Sequence, residues 1–316
     1  MDLREFNTNE DHVAAGVDVL NYQPFILSDD VQTGVGYSWR NRSDPRFPTG
    51  FVFHREQRQE QWNDITEANA MLRRTYDGLI RFIAERFPGK TLLDVACNNG
   101  YFPVRAELYG MAPSFGMDMG SQHSYAIEFL NGTCGTHATF LHASYDPISH
   151  TAPVEGKYDV VVASAIMCHL PDPLNFLAFL ASKAREAVFF WGQVIDTDNL
   201  LVCYSPPHQN LHDRPFPYCF NDNTRISRGL MELSFKQLGF KEVVEAPWQD
   251  NWISPYITRY TPASLEPRAA PKLKGRIARK VALKLLGPGA KRAMQGFNLI
   301  DDIEISSKHV GILAIR

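Results

Sequence analysis

The chain has 316 residues, 44% of them hydrophobic and 21% charged, with a net charge of −3. That balance excludes wholesale disorder and predicts either one large α/β domain with a substantial cap or two modest domains, each able to bury a core. The near-neutral charge gives no global reason to expect nucleic acid as a partner, and no apolar run approaches the roughly 20 residues that a membrane-spanning helix needs.

Cys97, Cys134, Cys168, Cys203 and Cys219 are widely spaced and form no Cys-x-x-Cys pair, so they read as reduced thiols. The opening Met1-Asp2-Leu3-Arg4-Glu5-Phe6 is charged and lacks the apolar core of a signal peptide. Both features lead us to expect a soluble, cytoplasmic protein.

Residues 1–55 are rich in Asn, Asp, Pro, Gly and aromatics, with Pro24-Phe25-Ile26-Leu27 and Gly34-Val35-Gly36-Tyr37 as their strand-like fragments. Such a segment is expected to pack over a neighbouring domain through Phe25, Tyr37, Trp39, Phe47, Phe51 and Phe53. From Arg55 to Arg86, Ile65, Ala68, Leu72, Tyr76, Leu79, Phe82 and Ile83 recur at spacings of three and four, which predicts a helix. Pro88-Gly89 stops it.

The unit that follows organises the chain. Thr91 to Val95 is an apolar run of strand type, Ala96 to Gly100 a turn of small residues, Phe102 to Tyr109 a helix, and Ser114 to Met117 a second strand ending at Asp118. A tight turn at a helix N-terminus lets backbone approach a ligand, and a carboxylate at the end of the next parallel strand is placed to accept both hydroxyls of a ribose.

Beyond it, Tyr125 to Leu130 predicts a short helix and Ala138 to Ala143 a third strand. Tyr158 to Ser164 is an apolar fourth strand that runs into a His169-Leu170-Pro171-Asp172-Pro173 turn and a helix opened by Pro173. Ala187 to Gln193 predicts a fifth strand, Ile226 to Leu238 a helix closed by Gly239, and Phe240 to Glu245 and Val310 to Ile315 two more strands. Between these two lies an insertion, 250–305. Its stretch 272–292 carries Lys272, Lys274, Arg276, Arg279, Lys280, Lys284, Lys291 and Arg292 and no acid. Leu273, Ile277, Val281 and Leu285 recur there every four residues, predicting a basic amphipathic helix that Gly287-Pro288 ends.

The turn reads Asp94-x-Ala96-x-Asn98-x-Gly100. It lacks the Gly-x-Gly-x-x-Gly of a dinucleotide fingerprint, which ranks a nicotinamide dehydrogenase last. An acid on the strand followed by small residues at every second position resembles motif I of the class I S-adenosylmethionine-dependent methyltransferases, usually Asp-x-Gly-x-Gly-x-Gly. Ala96 and Asn98 stand at two of its glycines, and Asn is the non-glycine residue that best tolerates positive φ. Tyr158-Asp159-Val160-Val161 with the later His169-Leu170-Pro171-Asp172-Pro173 resembles motif IV of the same family and its sequel. The two matches come in the family's order and, with Asp118, cover residues 89–195.

The resemblance implies an α/β fold, a Rossmann-like seven-stranded and mostly parallel sheet of order 3-2-1-4-5-7-6 with helices on both faces. It divides the chain into an N-terminal cap and leading helix (1–88), a core (89–249), the insertion (250–305) and a last core strand (306–316) that should be buried. It implies S-adenosylmethionine as cofactor, lined by Asp94, Ala96, Cys97, Asn98, Gly100, Asp118, Met119, Ser144 and Ser164. Asp94 would orient the turn or reach the cofactor's amino group through water, and Asp118 would take the ribose. The position where the family usually reads adenine with an acid is Ser144 here, followed by Tyr145 and Asp146, which leaves Ser144, Asp146 or backbone for that role.

Methyl transfer is an in-line displacement in which approximation and orientation do most of the catalysis, while a base takes the proton of an oxygen or nitrogen acceptor. The candidates are His169, just past the fourth strand, and His208 and His212. The latter two lie in the stretch 201–220, with Asp213 and Arg214 framed by Tyr204, Phe216 and Tyr218, where acceptor-binding loops of the family usually sit. No metal is expected: a His pair four apart binds one readily on a helix, and Pro206, Pro207 and Pro215 oppose a helix there. Cys97 and Cys168 read as small fillers beside the pocket. The expected acceptor is a hydroxyl of a small molecule or glycan. The alternatives are transfer to the wobble uridine of tRNA, where similar His-Leu-x-Asp-Pro sequences occur, and a non-catalytic S-adenosylmethionine-binding module, to which the missing glycines lend weight. The stretch 272–292 reads as a solvated basic face, as a contact for a lipid-linked or phosphate-bearing substrate, or as a contact for RNA backbone.

Overall fold

The computed structural model describes residues 23, 25–28, 31–33, 52–54, 56, 59, 62–121, 123–204, 224–247 and 307–316. The fragment at 34–37, the stretch 205–223 with His208 and His212, and the basic stretch 272–292 lie outside them.

The central sheet has seven strands. They are β4 (Leu92–Val95), β5 (Ser114–Asp118), β6 (Thr139–His142), β7 (Tyr158–Ser164), β8 (Ala184–Ile195), β11 (Glu242–Glu245) and β12 (Ser307–Ile315). Their spatial order is β11-β12-β8-β7-β4-β5-β6. Counted in chain order and read from the other edge, that is 3-2-1-4-5-7-6, as the resemblance implies. β4 pairs parallel with β5 and β7, β5 with β6, and β7 with β8, while β11 and β12 are antiparallel. Val310, Ile312, Leu313 and Ala314 of β12, which lies between β11 and β8, are buried, as expected of the last strand.

The strands read as continuous apolar runs because both faces of the sheet are covered. Along β7, Val160 and Val162 enter one core cluster, and Val161 and Ala163 the other. The first cluster holds Leu79, Ile80 and Ile83 of α1 (Trp62–Ala84), Phe102 and Val104 of α2 (Tyr101–Leu108), and Ile127 and Leu130 of α3 (His123–Cys134). The second holds Phe176, Leu177 and Leu180 of α4 (Pro173–Lys183), and Met231 and Phe235 of α5 (Arg228–Gln237). Each such side chain, fully removed from water, contributes about 1.5–3 kcal/mol.

Several boundaries differ from the sequence reading. α3 is longer than 125–130 despite Asn131-Gly132-Thr133. The Thr133 hydroxyl donates back to Phe129 O, and the Asn131 amide donates to Ala138 O, so these polar residues are satisfied without breaking the helix. Gly135, at φ +67°, then ends it. α1 starts at Trp62 rather than Arg55. Ile226 belongs not to α5 but to β10 (Arg225–Ile226), which pairs with β9 (Val202–Cys203). Ser227 caps α5, its hydroxyl accepting from Leu230 N–H. The N-terminal segment also forms a small antiparallel sheet, β1 (Ile26–Ser28), β2 (Val31–Thr33) and β3 (Val52–His54). Gln32 Nε2 of β2 donates to Thr66 Oγ1 of α1 at 2.9 Å, which fixes that sheet to the core.

Candidate functional site

The chain runs from β4 outward through β5 to β6, then returns to β7 on the other side of β4. The carboxyl ends of β4 and β7 therefore flank a topological switch point, the place where open α/β sheets bind ligands.

The bend after β4 lies there. Its three alternate positions, Ala96, Asn98 and Gly100, all have positive φ, at +64°, +49° and +85°. The backbone thus takes the path the family builds with glycines, although two of the residues carry a Cβ. Asn98 eases its own conformation by accepting the Asn99 N–H on its Oδ1 at 2.8 Å. Gly100 has no such freedom: a Cβ there would come within 2.3 Å of Ile127 Cγ1. Cys97 is buried beneath the bend, its Sγ 2.7 Å from where a Cβ on Gly116 would stand. Burial, with the charges of Asp94 and Asp118, holds its thiol well above the usual range. It is a protonated filler rather than a nucleophile.

Asp118, at the end of β5, reaches the bend. Its Oδ2 accepts the Asn98 N–H and its Oδ1 the Gly120 N–H, both at 3.0 Å. Each oxygen keeps a second lone-pair direction for a further donor. Met119 follows and is 75% exposed, and its carbonyl is 3.0 Å from His142 Nε2. His123, in the first turn of α3, was not singled out from the sequence. It is buried, with Nε2 3.7 Å from Asp118 Oδ1. Desolvation lowers its pKa against the opposing pull of Asp118, which favours the neutral imidazole.

Among the described residues, two polar side chains under the bend have no hydrogen-bond partner. Asp94 is 1% exposed with both carboxylate oxygens unpartnered, and Asn99 is 0% exposed with both ends of its amide unpartnered. Burial first, then the negative charge of Asp118, pushes the Asp94 carboxyl well above the usual carboxylate range. Buried polar groups are almost always paired, so these two side chains suit the polar groups of a bound ligand. Asn99 escaped the sequence reading because a polar residue in a turn reads as solvated.

Further along the same edge, Ser144 is exposed and its hydroxyl donates to Tyr145 O at 3.3 Å. The Asp146 carboxylate accepts from Ile148 N, Ser149 N and Ser149 Oγ, so it serves its own turn. Tyr145 is buried and donates its hydroxyl to Asp172 Oδ2 at 2.6 Å, where His150 Nδ1 also lies at 2.9 Å. Burial and the hydrogen bond to Asp172 raise the Tyr145 pKa. This Tyr–Asp–His cluster ties the loop after β6 to the start of α4.

Ser164 is half-buried at the end of β7, and His169 is exposed at the end of the 3₁₀ turn Met167–His169. The Tyr204 hydroxyl donates to Pro171 O at 2.9 Å, and Thr224 N–H donates to Cys168 O at 3.2 Å. The loops after β7 and β8, which the sequence reading expects to flank the acceptor, are thereby joined. No group of three or more His, Cys, Asp or Glu with metal-binding geometry occurs among the described residues.

The observed site fits a nucleoside bearing an amino-acid tail, with a strand-end carboxylate at the bend for sugar hydroxyls and an unpartnered buried carboxyl for an ammonium. A family model described as a methyltransferase domain matches residues 54–244. The chain is 26% identical over 140 residues to a ubiquinone biosynthesis O-methyltransferase of Vibrio campbellii, covering 43% of this chain and 58% of that protein. It is 27% identical over 110 residues to a tRNA U34 carboxymethyltransferase of Campylobacter curvus, covering 34% and 36%. The chain thus spans little more than half the length of the first of these relatives and less of the second. Among solved structures, a putative sarcosine dimethylglycine methyltransferase from Galdieria sulphuraria is similar over 79% of this chain and 87% of that one, with 17% identity and a TM-score of 0.46.

Proposed function

The chain belongs to the methyltransferase-domain family, as a class I S-adenosylmethionine-dependent enzyme, and we propose that its acceptor is a hydroxyl of a small molecule or a glycan. The observation that supports the donor site most directly is the bend with three alternate positive φ values, bolted to Asp118 and closed over the unpartnered Asp94. When bound, the sulfonium supplies the electrophilic methyl group. What the chain contributes is placement: the bend approaches the donor with backbone, Asp118 accepts its sugar hydroxyls, and Asp94 faces its ammonium.

The acceptor reading draws support from the relatives named as O-methyltransferases. The loops after β7 and β8 also meet at Tyr204 and Pro171, beside the exposed His169. The base is drawn from His169, His208 and His212. Replacing the acting one by Asn is expected to lower turnover by about 10²–10⁴-fold while leaving donor affinity unchanged.

A second reading, transfer to tRNA, has the relatives named as tRNA U34 carboxymethyltransferases in its favour. Incubating the full chain with methyl-tritiated donor and cell extract separates the two. Label in a small, ribonuclease-resistant product is expected. Label lost on ribonuclease treatment, with binding that weakens steeply as salt rises, assigns the tRNA reading instead.

A further inference from the structure

The N-terminus of α2 is capped from far away in the chain. Tyr101, its first residue, donates its backbone N–H to the side-chain Oε1 of Gln23 at 3.0 Å, across 78 positions of sequence. Gln23 is 7% exposed, and the ring of Phe25 packs on the ring of Tyr101 with centroids 4.9 Å apart. The helix has no side-chain cap from Gly100 and no acid in its first turn. Capping alone favours an acid, because a carboxylate accepts the same N–H and also complements the helix dipole. An amide differs in one respect: with its oxygen held by Tyr101, it still presents Nε2–H₂ as a donor.

The surroundings call for that donor. Asp94 and Asn99, both more than nine-tenths buried, carry unpartnered polar atoms in the bend that leads into this helix. Asp94 suits an ammonium. An amino-acid tail also brings a carboxylate, yet residues 94–101, Asp-Val-Ala-Cys-Asn-Asn-Gly-Tyr, hold no Lys or Arg to meet it. Arg105, one helical turn on, is engaged by Asp77 and Tyr109. The helix N–H nearest the bend is already taken by Gln23 itself.

We propose that Gln23 is a donor-binding residue, its side-chain N–H₂ donating to the methionine carboxylate of S-adenosylmethionine while its oxygen stays on Tyr101. Gln23 then lines the donor site and does not merely cap the helix. This inference rests on the methyl-donor reading above.

Calorimetry on the full chain with two ligands tests it: S-adenosylhomocysteine, which carries the amino-acid tail, and methylthioadenosine, which lacks it. Gln23→Glu keeps an acceptor for Tyr101 N–H but sets a negative charge against the carboxylate, and Gln23→Ala removes both groups. Both variants are expected to bind S-adenosylhomocysteine about tenfold or more weakly, a change of about 1.4 kcal/mol, and methylthioadenosine within about twofold of the parent. Gln23→Glu should also keep the parent's melting temperature. Equal losses for both ligands would make Gln23 a purely structural cap, and unchanged or tighter S-adenosylhomocysteine binding would make it a placeholder that the ligand displaces. Either result overturns the proposal while leaving the donor reading intact. A parent protein that binds neither ligand overturns both.

Discussion

At the scale of single residues, the bend shows how a glycine motif survives without its glycines. Left-handed backbone costs an ordinary residue about 1–2 kcal/mol, and a glycine gives back about 0.4–1 kcal/mol of that through its looser unfolded chain. Ala96, at φ +64°, has only a methyl side chain and no means of compensation, whereas Asn98 bonds its own following N–H. Ala96→Gly should therefore stabilise the protein by about 0.5–1 kcal/mol, and Asn98→Gly should change little, as read from urea midpoints. Asp94 presents a different case, a carboxyl buried with neither oxygen partnered. Its raised pKa means that the folded state binds the proton more tightly than the unfolded chain does. The stability this contributes is full below the ordinary carboxylate pKa, near 4, and is lost as pH rises through the folded value. Asp94→Asn should thus match the parent's unfolding free energy at low pH and exceed it increasingly as pH rises, by about 1–3 kcal/mol once the parent is ionised, as read from urea unfolding across pH. The same variant should bind S-adenosylmethionine at least about tenfold more weakly. A stability gain that does not depend on pH would show that Asp94 carries no buried charge.

At the scale of elements, the helix that opens at the bend is held by a polar junction with α1. Asp77 accepts from the Tyr101 hydroxyl at 2.8 Å and from Arg105 Nε at 2.9 Å, and Arg105 Nη2 donates to Tyr109 at 2.8 Å. Asp77→Ala strands a buried phenol and a half-buried guanidinium together, and should destabilise by about 2–4 kcal/mol. Asp77→Asn, which keeps an acceptor, should lose less. Urea unfolding of the two variants checks the order. The core strands and these helices were legible in sequence because each presents an unbroken apolar run or a period near 3.6, bounded by glycine or proline. The small sheet β1–β3 was only partly so: three-residue strands show no period, and β2 finds its partner β3 some twenty residues later. Within the site, Asp94 and Asp118 announced themselves by position in a motif. Gln23, Asn99 and His123 did not, since their significance comes from burial beside the bend, which spacing along the chain does not encode.

At the scale of the whole molecule, charge is distributed unevenly. The chain has 32 basic and 35 acidic residues, and eight of the basic ones fall in 272–292, which contains no acid. Setting that stretch aside leaves 24 basic against 35 acidic residues, a net charge of −11. The remainder thus repels anionic surfaces, and any attraction for a phosphate-bearing or lipid-linked acceptor has to come from this one stretch. Each cation near an anionic bilayer is worth about 1 kcal/mol, so the segment is well able to outweigh the rest locally, and the effect fades within about 10 Å at 0.1 M salt. If the stretch serves the acceptor, the full chain should sediment with phosphatidylglycerol vesicles at low salt, stay free of phosphatidylcholine vesicles, and be released as salt rises. Changing Lys272, Lys274, Lys280 and Lys284 together to Gln should abolish that sedimentation and leave S-adenosylmethionine affinity unchanged. Because those substitutions remove half of the stretch's charge without touching the bend, a simultaneous loss of donor binding would mean that the segment belongs to the donor site. No sedimentation of the parent with either vesicle would leave it a solvated face.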